Sequence, residues 1–310
     1  MNFLSQIENT PFVALCFCIF TALLTLVVFI WGLFKKTPMI IAFNNRMRSL
    51  WILILLFSPV FMGKKLVSCL LFAALSLVAI TEYRKMLSNK QLNNCKNPLV
   101  YVFLALQYVA LYADMQILFV SLIPLSIFLL IPFVGIFYRE IKDVWQICVN
   151  DYIGLLLTVY AMSYMCAYTT SPQLQPYNGN GLLLFVLILT LMSDFFQAIC
   201  GFLCGKHFLV PNLSPNKTWE GLIGGGILTA GLSWLMGIYL TPFDSVKLLC
   251  LGFLLNVAGF CGDVTISAIK RCIGVKDCSN LLPGHGGLLD RFDSILLTSP
   301  ILFWYVVWFN

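Results

Sequence analysis

A chain of 310 residues that is 60% hydrophobic and only 10% charged, with 19 Lys and Arg against 13 Asp and Glu, has too little polar surface to cover a water-facing globule. Together with a mean hydropathy of +0.91, this excludes a soluble enzyme and indicates a polytopic membrane protein whose outer face meets lipid. The formal charge of +6 falls in short loops between apolar spans, where leaflet orientation accounts for it, so no nucleic acid partner is expected.

The fold class read from the apolar runs is all-α, a polytopic helical bundle of about nine or ten transmembrane helices. Candidate spans fall near 11–34, 50–62, 66–80, 98–113, 116–137, 152–170, 181–200, 221–240, 248–266 and 295–309. The first run lacks a basic leader and is too long for a signal-peptide core, so it is read as a first membrane helix. The second and third are short enough to form a re-entrant hairpin around Gly63, Lys64 and Lys65. With the N-terminus outside, the loops 35–49, 81–97, 138–151, 201–220 and 267–294 face the cytoplasm and hold 16 of the 19 cations; Lys64, Lys65 and Lys247 are the exceptions. The 12 Cys include no CxxC pair and sit mostly in apolar spans, where they read as packing residues. Residues 1–180 form the N-terminal helices and 181–310 the C-terminal helices with their loops, in one continuous membrane domain.

Chemistry concentrates in the C-terminal part. Asp263, Ser267, Lys270 and Arg271 are spaced to share one helix face, with the carboxylate at membrane depth and the cations nearer water. An acid after the apolar run Leu251 to Cys261 is costly unless it faces a cavity. Asp290 and Asp293 share a face at the expected start of the last helix. Carboxylates from two helices make an all-oxygen cage suited to Mg²⁺ rather than zinc. The turn Pro283-Gly284-His285-Gly286-Gly287 leads into that helix and offers bare amides to an anion. Lys270, Arg271, Lys276 and Arg291 supply matching positive charge, although mutual pairing of these loop charges is the plain alternative. Asp194, about 9 Å inside its span, marks a second cluster with Gly205-Lys206-His207 and Ser214-Pro215-Asn216-Lys217-Thr218-Trp219-Glu220-Gly221. Ser214 and Pro215 read as N-cap and first residue of the next helix. Gly224 to Gly226 read as packing glycines, and His207 as an interfacial side chain.

The string from Ser267 through Lys270-Arg271, Lys276-Asp277, Pro283, His285-Gly286-Gly287 and Asp290-Arg291 to Asp293 resembles the signature of the phosphatidate cytidylyltransferase, or CDP-diacylglycerol synthase, family. The segment Ser214 to Gly221 is similar to that family's second block, so the motifs cover roughly residues 190–295. The resemblance implies Mg²⁺-dependent transfer of a cytidylyl group from CTP to phosphatidic acid, giving CDP-diacylglycerol and pyrophosphate. It implies Asp263, Asp290 and Asp293 as metal ligands, and Asp263, Lys270, Arg271, His285, Asp290 and Arg291 as catalytic residues. Substrate or phosphate binding falls to Asp194, Ser214, Lys217, Ser267, Lys276, Gly286 and Gly287, with Asp277 a further ligand or the partner of Lys276.

The implied partners are CTP, phosphatidic acid or a similar lipid phosphate, and a possible second copy of the chain. The implied location is the bacterial cytoplasmic membrane, with the site facing the cytoplasm. The sequence departs from the family pattern at Gln197-Ala198, Phe202-Leu203 and Asn216, which removes a hydroxyl or a cation near the expected phosphate site. A related CTP-dependent transferase with another lipid phosphate as acceptor is the alternative, and a transporter the alternative from another class.

Overall fold

The computed structural model describes residues 10–26 apart from 20 and 24, residue 51, and residues 54–61, 65–88, 97–137, 141–174, 177–211, 213–279 and 286–309. Residues 10–19 and 54–61 are helical. After them run α1 (Lys65–Ser88), α2 (Leu99–Tyr112), α3 (Gln116–Leu125), α4 (Ile127–Phe137) and α5 (Ile141–Gly154). A π-helical turn, Leu155–Tyr160, joins α5 to α6 (Ala161–Thr170). The C-terminal part contains α7 (Gly179–Cys204), strands β1 (Phe208–Val210) and β2 (Ser214–Thr218), α8 (Trp219–Leu240), α9 (Ser245–Ile273), the short α10 (Leu289–Phe292) and α11 (Ile295–Phe309).

Five helical stretches among the described residues are long and apolar enough to cross a membrane: Lys65–Leu87, Val144–Thr170, Gly179–Cys204, Trp219–Leu240 and Ser245–Ile273. Shorter apolar helices include Leu99–Tyr112, Gln116–Leu125 and Ile295–Phe309. Large apolar side chains such as Ile117, Phe128, Leu70 and Trp308 stand exposed on the outside, as lipid contact requires and water would penalise. The chain is therefore a helical integral membrane protein.

Several elements differ from the sequence reading. The third span is no short run, because α1 continues to Ser88 and at 24 residues reaches across a bilayer by itself. That removes the re-entrant reading for this helix, while Gly63 and Lys64 lie outside the described residues. The run 116–137 is broken after Leu125, where Pro124 withholds a backbone N–H and the Ser126 hydroxyl donates to the Ile123 carbonyl at 2.7 Å. The expected loop 138–151 is helical from Ile141 onward, and its Asp151 is buried and paired inside the bundle. The bundle is not purely α, since β1 and β2 pair antiparallel with Phe208 opposite Thr218 and Val210 opposite Ser214. Ser214 and Pro215 accordingly lie in a strand. Thr218 is the N-cap of α8, its side chain accepting the Gly221 amide at 3.1 Å. Pro215 is tolerated there because a two-stranded ribbon leaves one edge of each strand without a ladder partner.

Small residues set the helix spacing where no hydrophobic effect drives helices together in lipid. A side chain at Gly225 would meet the Gln197 backbone nitrogen at 2.9 Å, so α8 lies flush against α7, as the packing reading of Gly224 to Gly226 expects. An aromatic cluster of Phe119, Tyr164 and Phe303, with centroids 5.0 to 6.4 Å apart, ties α3, α6 and α11 together.

At one end of α1, Lys65 pairs with Asp114 at 2.6 Å. At the other, Arg84 faces the fully buried Asp151 at 3.6 Å, whose second oxygen accepts from Asn97 at 3.0 Å. Breaking a buried pair strands a charge in an apolar surrounding, so Asp151→Ala is expected to destabilise the bundle by about 3 kcal/mol or more. Thermal unfolding in lipid micelles measures this; a melting temperature unchanged from wild type would show the pair to be dispensable.

Candidate active site

The site is a cavity of about 690 Å³ bounded by α7, α8, α9, the β1–β2 ribbon and the α10 segment. That volume is in the range of small-molecule sites. Its polar lining includes Asp194, Ser214, Lys217, Asp263, Asp290, Arg291 and Asp293, with Gln197 and Thr218, beside an apolar wall that includes Phe202, Phe208 and Phe260. Seven residues singled out from sequence, separated by up to a hundred positions, therefore face one space.

α9 carries Asp263 and continues for ten further residues to Ile273, which confirms the helix face read from the i, i+4 and i+7 spacing. Ser267 donates to Asp263 Oδ1 at 3.2 Å, one turn along. Lys217 Nζ reaches the other oxygen, Oδ2, at 2.6 Å while lying 4.5 Å from the centroid of the Phe260 ring. The extended backbone of β2 makes that reach possible; the helix expected from Ser214 onward would have placed Lys217 in a first turn. Gly262 permits the close approach from the opposite side, because a Cβ there would come within 2.4 Å of the Asp293 carbonyl oxygen. α7 runs on to Cys204, so Asp194 lies ten residues, about 15 Å of helix, from its end and deeper than the sequence reading placed it.

Lys270 does not reach the cavity. Its Nζ pairs with Asp290 Oδ1 at 2.7 Å, with side-chain exposures of 12% and 9%. The second oxygen of Asp290 accepts the backbone amides of Cys278 at 2.8 Å and Gly287 at 2.9 Å. Burial pushes the Asp290 carboxyl up, but the Lys270 ammonium and the two amides outweigh it and leave it below the ordinary carboxylate range. As the structure stands, Asp290 clamps the loop and balances Lys270, and both of its oxygens are already engaged.

The glycine turn differs in the same way from the expected anion site. The Gly287 amide donates to Asp290, and the next two, of Leu288 and Leu289, donate to Glu82 at 3.1 and 3.0 Å. These three donors are held by carboxylates of the chain itself, and Gly286 and Gly287 do not line the cavity. Arg271, Lys276 and Asp277 are exposed and lie outside the lining. His285 lies outside the described residues. His207 is exposed and pairs with Glu220 at 2.6 Å, in keeping with an interfacial role; the same glutamate accepts the Lys206 and His207 amides at 3.1 and 3.2 Å, pinning the turn before β1.

Three carboxylates converge on the cavity from separate elements: Asp194 from α7, Asp263 from α9 and Asp293 just after α10. Ser294 joins two of them, its hydroxyl donating to Asp194 at 3.1 Å and its amide to Asp293 at 2.8 Å. Burial, and then the charges of Asp263 and Asp194, push the Asp293 carboxyl well above its usual range. Negative charge is in excess there. Among the described residues, no group of three or more His, Cys, Asp and Glu is placed to hold a metal ion as it stands. Mg²⁺ does not need such a group, since it commonly binds through one or two carboxylates plus substrate phosphates and water.

Sequence reasoning passed over Glu82 and Ser294. The signal for Glu82 was faint, a single acid where the α1 apolar run meets a basic segment, and its partners are some 200 residues away.

Residues 44–309 match the family described as Cytidylyltransferase family. The chain belongs to that family. This cytidylyltransferase-family chain is 36% identical over 262 residues to an uncharacterized protein, YnbB, of Escherichia coli strain K12, a match that covers 84% of this chain and 86% of that one. It is 30% identical over 253 residues to a phosphatidate cytidylyltransferase of Staphylococcus epidermidis, covering 81% and 94%. It is also 43% identical over 107 residues to a phosphatidate cytidylyltransferase of Bacillus subtilis, covering 34% and 40%.

The Asp290 clamp gives a pH-dependent expectation for this family member. A depressed folded-state value means that the carboxylate stabilises the fold at neutral pH and that this stabilisation is lost as pH falls from the ordinary carboxylate range through the depressed value. Asp290→Asn is therefore expected to lower the melting temperature at pH 7 and to flatten its decline below about pH 4. Parallel curves for variant and wild type from pH 7 to pH 3 would contradict the clamp.

Proposed function

We propose that this protein transfers the cytidylyl group of CTP to phosphatidic acid, releasing pyrophosphate and leaving CDP-diacylglycerol in the membrane. The observation that carries the reading is the convergence of Asp194, Asp263 and Asp293 with Lys217 and Arg291 on one cavity in a chain of the cytidylyltransferase family. The names of the Staphylococcus and Bacillus relatives support phosphatidate as the acceptor.

In the reaction a phosphate oxygen of the lipid attacks the α-phosphorus of CTP; the new O–P bond forms as the bond to the pyrophosphate oxygen breaks. The attacking phosphate is already anionic, so the site has to place it in line and neutralise charge rather than remove a proton. Lys217 and Arg291 are the cavity cations for that role. Lys217 leaves Asp263 for a phosphate oxygen when substrate enters, and the Phe260 ring face keeps the ammonium directed inward. Arg291, fixed on α10 between two cavity acids, holds a second phosphate by its fork of donors. Ser214 offers a hydroxyl at the ribbon side.

Asp263 and Asp293 are the proposed holders of Mg²⁺, with Asp194 next to them and held through Ser294. The excess of negative charge, the oxygen-only donor set and the vacated Asp263 oxygen fit that ion. When bound, Mg²⁺ supplies electrostatic stabilisation of the phosphate charge that builds up during transfer. Asp290 keeps its place as partner of Lys270.

The expected location is the bacterial cytoplasmic membrane with the cavity toward the cytoplasm. Lys65 and Lys247, two of the cations set apart by the charge count, lie at the ends of α1 and α9 remote from the site, which supports that orientation. A second reading keeps the reaction and changes the acceptor to another lipid phosphate; Phe202 on the cavity wall, where the family resemblance implies a basic residue, favours it.

Purified protein in lipid micelles with radiolabelled CTP, Mg²⁺ and either phosphatidic acid or a polyprenyl phosphate tests both. Label is expected in the phosphatidic acid lipid phase, lost with a chelator, and reduced about 100-fold or more in Asp263→Asn and Asp293→Asn. Label only with the polyprenyl phosphate would establish the second reading, and none with either acceptor would refute transfer.

A further inference from the structure

Glu82 sits in the N-terminal half of the chain, six residues from the end of α1 and only 4% exposed. A carboxylate that far from water must be matched by donors, and here its donors among the described residues are Ser279, Leu288 and Leu289, some 200 positions away. The Ser279 hydroxyl reaches Oε1 at 2.6 Å, the Leu288 amide reaches Oε1 at 3.1 Å, and the Leu289 amide reaches Oε2 at 3.0 Å. The approach is close enough that a Cβ on Gly287 would lie 2.8 Å from Oε2. Glu82 therefore grips both ends of the segment from Ser279 to Leu289.

From its other side the same segment is held by Asp290, through the Cys278 and Gly287 amides. Two carboxylates thus hold the amides of Cys278, Gly287, Leu288 and Leu289 between them, and the residues that follow at once include Asp290, Arg291 and Asp293 of the cavity. The helix that carries Glu82 is itself anchored two residues later by Arg84 against the buried Asp151. A displacement of the start of α10 moves three cavity side chains, whereas Asp194, Lys217 and Asp263 stay on α7, β2 and α9.

We propose that Glu82 is a positioning residue for cytidylyl transfer: from outside the site it fixes Ser279 and the start of α10 at Leu288 and Leu289 so that Arg291 and Asp293 meet the reacting phosphates in register. This rests on the function proposed above. It assigns the N-terminal helices a part in catalysis, acting through the loop without contact to substrate. A carboxylate is required because all three partners donate; a glutamine at this position turns an N–H toward at least one of them and leaves two donors facing each other.

The experiment compares wild type, Glu82→Gln, Glu82→Asp and Gly287→Ala as full-length proteins in lipid micelles, with two readouts. In the transfer assay, Glu82→Gln and Gly287→Ala are expected to lower kcat about tenfold or more with KM for CTP within about twofold, since misplaced groups weaken the transition state more than ground-state binding. Glu82→Asp, which keeps the acceptor and shortens its reach, is expected to recover part of kcat. The second readout needs no activity. Cys278, buried at 6%, is alkylated with a maleimide and quantified by mass spectrometry against exposed Cys272 and buried Cys148; Glu82→Gln is expected to accelerate Cys278 labelling selectively.

Wild-type kcat in Glu82→Gln, or unchanged Cys278 protection, overturns the proposal. Parallel acceleration at Cys148 also overturns it, since the effect is then on the whole fold. Absence of transfer by the wild type with selective exposure of Cys278 refutes the proposed function alone and leaves the loop anchor standing.

Discussion

A carboxylate inside a bundle of apolar helices must be matched by a cation or by N–H and O–H donors, and the arrangement of this molecule follows from meeting that demand several times over. Asp151 is matched by Arg84 and Asn97, Asp290 by Lys270 and two amides, Glu82 by a hydroxyl and two amides, and Asp263 by Lys217 and Ser267. The Arg84–Asp151, Lys217–Asp263 and Glu82 contacts join elements distant in sequence, so contacts that neutralise charge also specify which elements are neighbours. At Asp293 the requirement is least completely met, and the carboxyl is accordingly pushed toward its protonated form by burial and by Asp263 and Asp194. Among the described residues, this acid cluster lies on the cavity lining.

Much of this was legible in the sequence because it depends on local periodicity. Spacing alone placed Asp263, Ser267 and Lys270 on one helix, and the cost of an acid in an apolar run marked Asp194 and Asp263 as cavity residues. What the sequence did not reveal is which donor each acid takes. Asp290 and Asp293 share a spacing that suits two ligands, yet Lys270, one turn beyond Ser267, claims the first. The Gly286-Gly287 turn has the composition of an anion site, but its amides are occupied by Asp290 and by a glutamate from α1, a long-range pairing that no local pattern encodes. The ribbon was hidden for a similar reason: Ser-Pro reads locally as a helix start, and only pairing with Phe208–Val210 makes Ser214–Thr218 extended.

One departure from the family pattern, Gln197, acquires a structural role. Gln197 lies against the cavity wall, but its amide nitrogen donates to Ser193 and to the side chain and carbonyl of Asn256 at 3.0 to 3.3 Å, and Asn256 in turn donates to the Leu222 carbonyl at 3.0 Å. These bonds link α7, α8 and α9 at membrane depth, where polar contacts substitute for the missing hydrophobic drive. A residue that removes a hydroxyl from the expected phosphate site thereby strengthens the scaffold behind it.

The saturation of the glycine turn has a broader consequence for selectivity. Sites built from backbone amides are rigid moulds that fit one phosphate geometry. With the Gly287, Leu288 and Leu289 amides occupied by the protein's own acids, the proposed reaction leaves anion recognition to Lys217 and Arg291, whose long side chains adapt to differently shaped partners. Such a site gives up stringency for versatility, a suitable exchange if, as proposed, the cavity accommodates a triphosphate and a monoester together and then releases two unlike products.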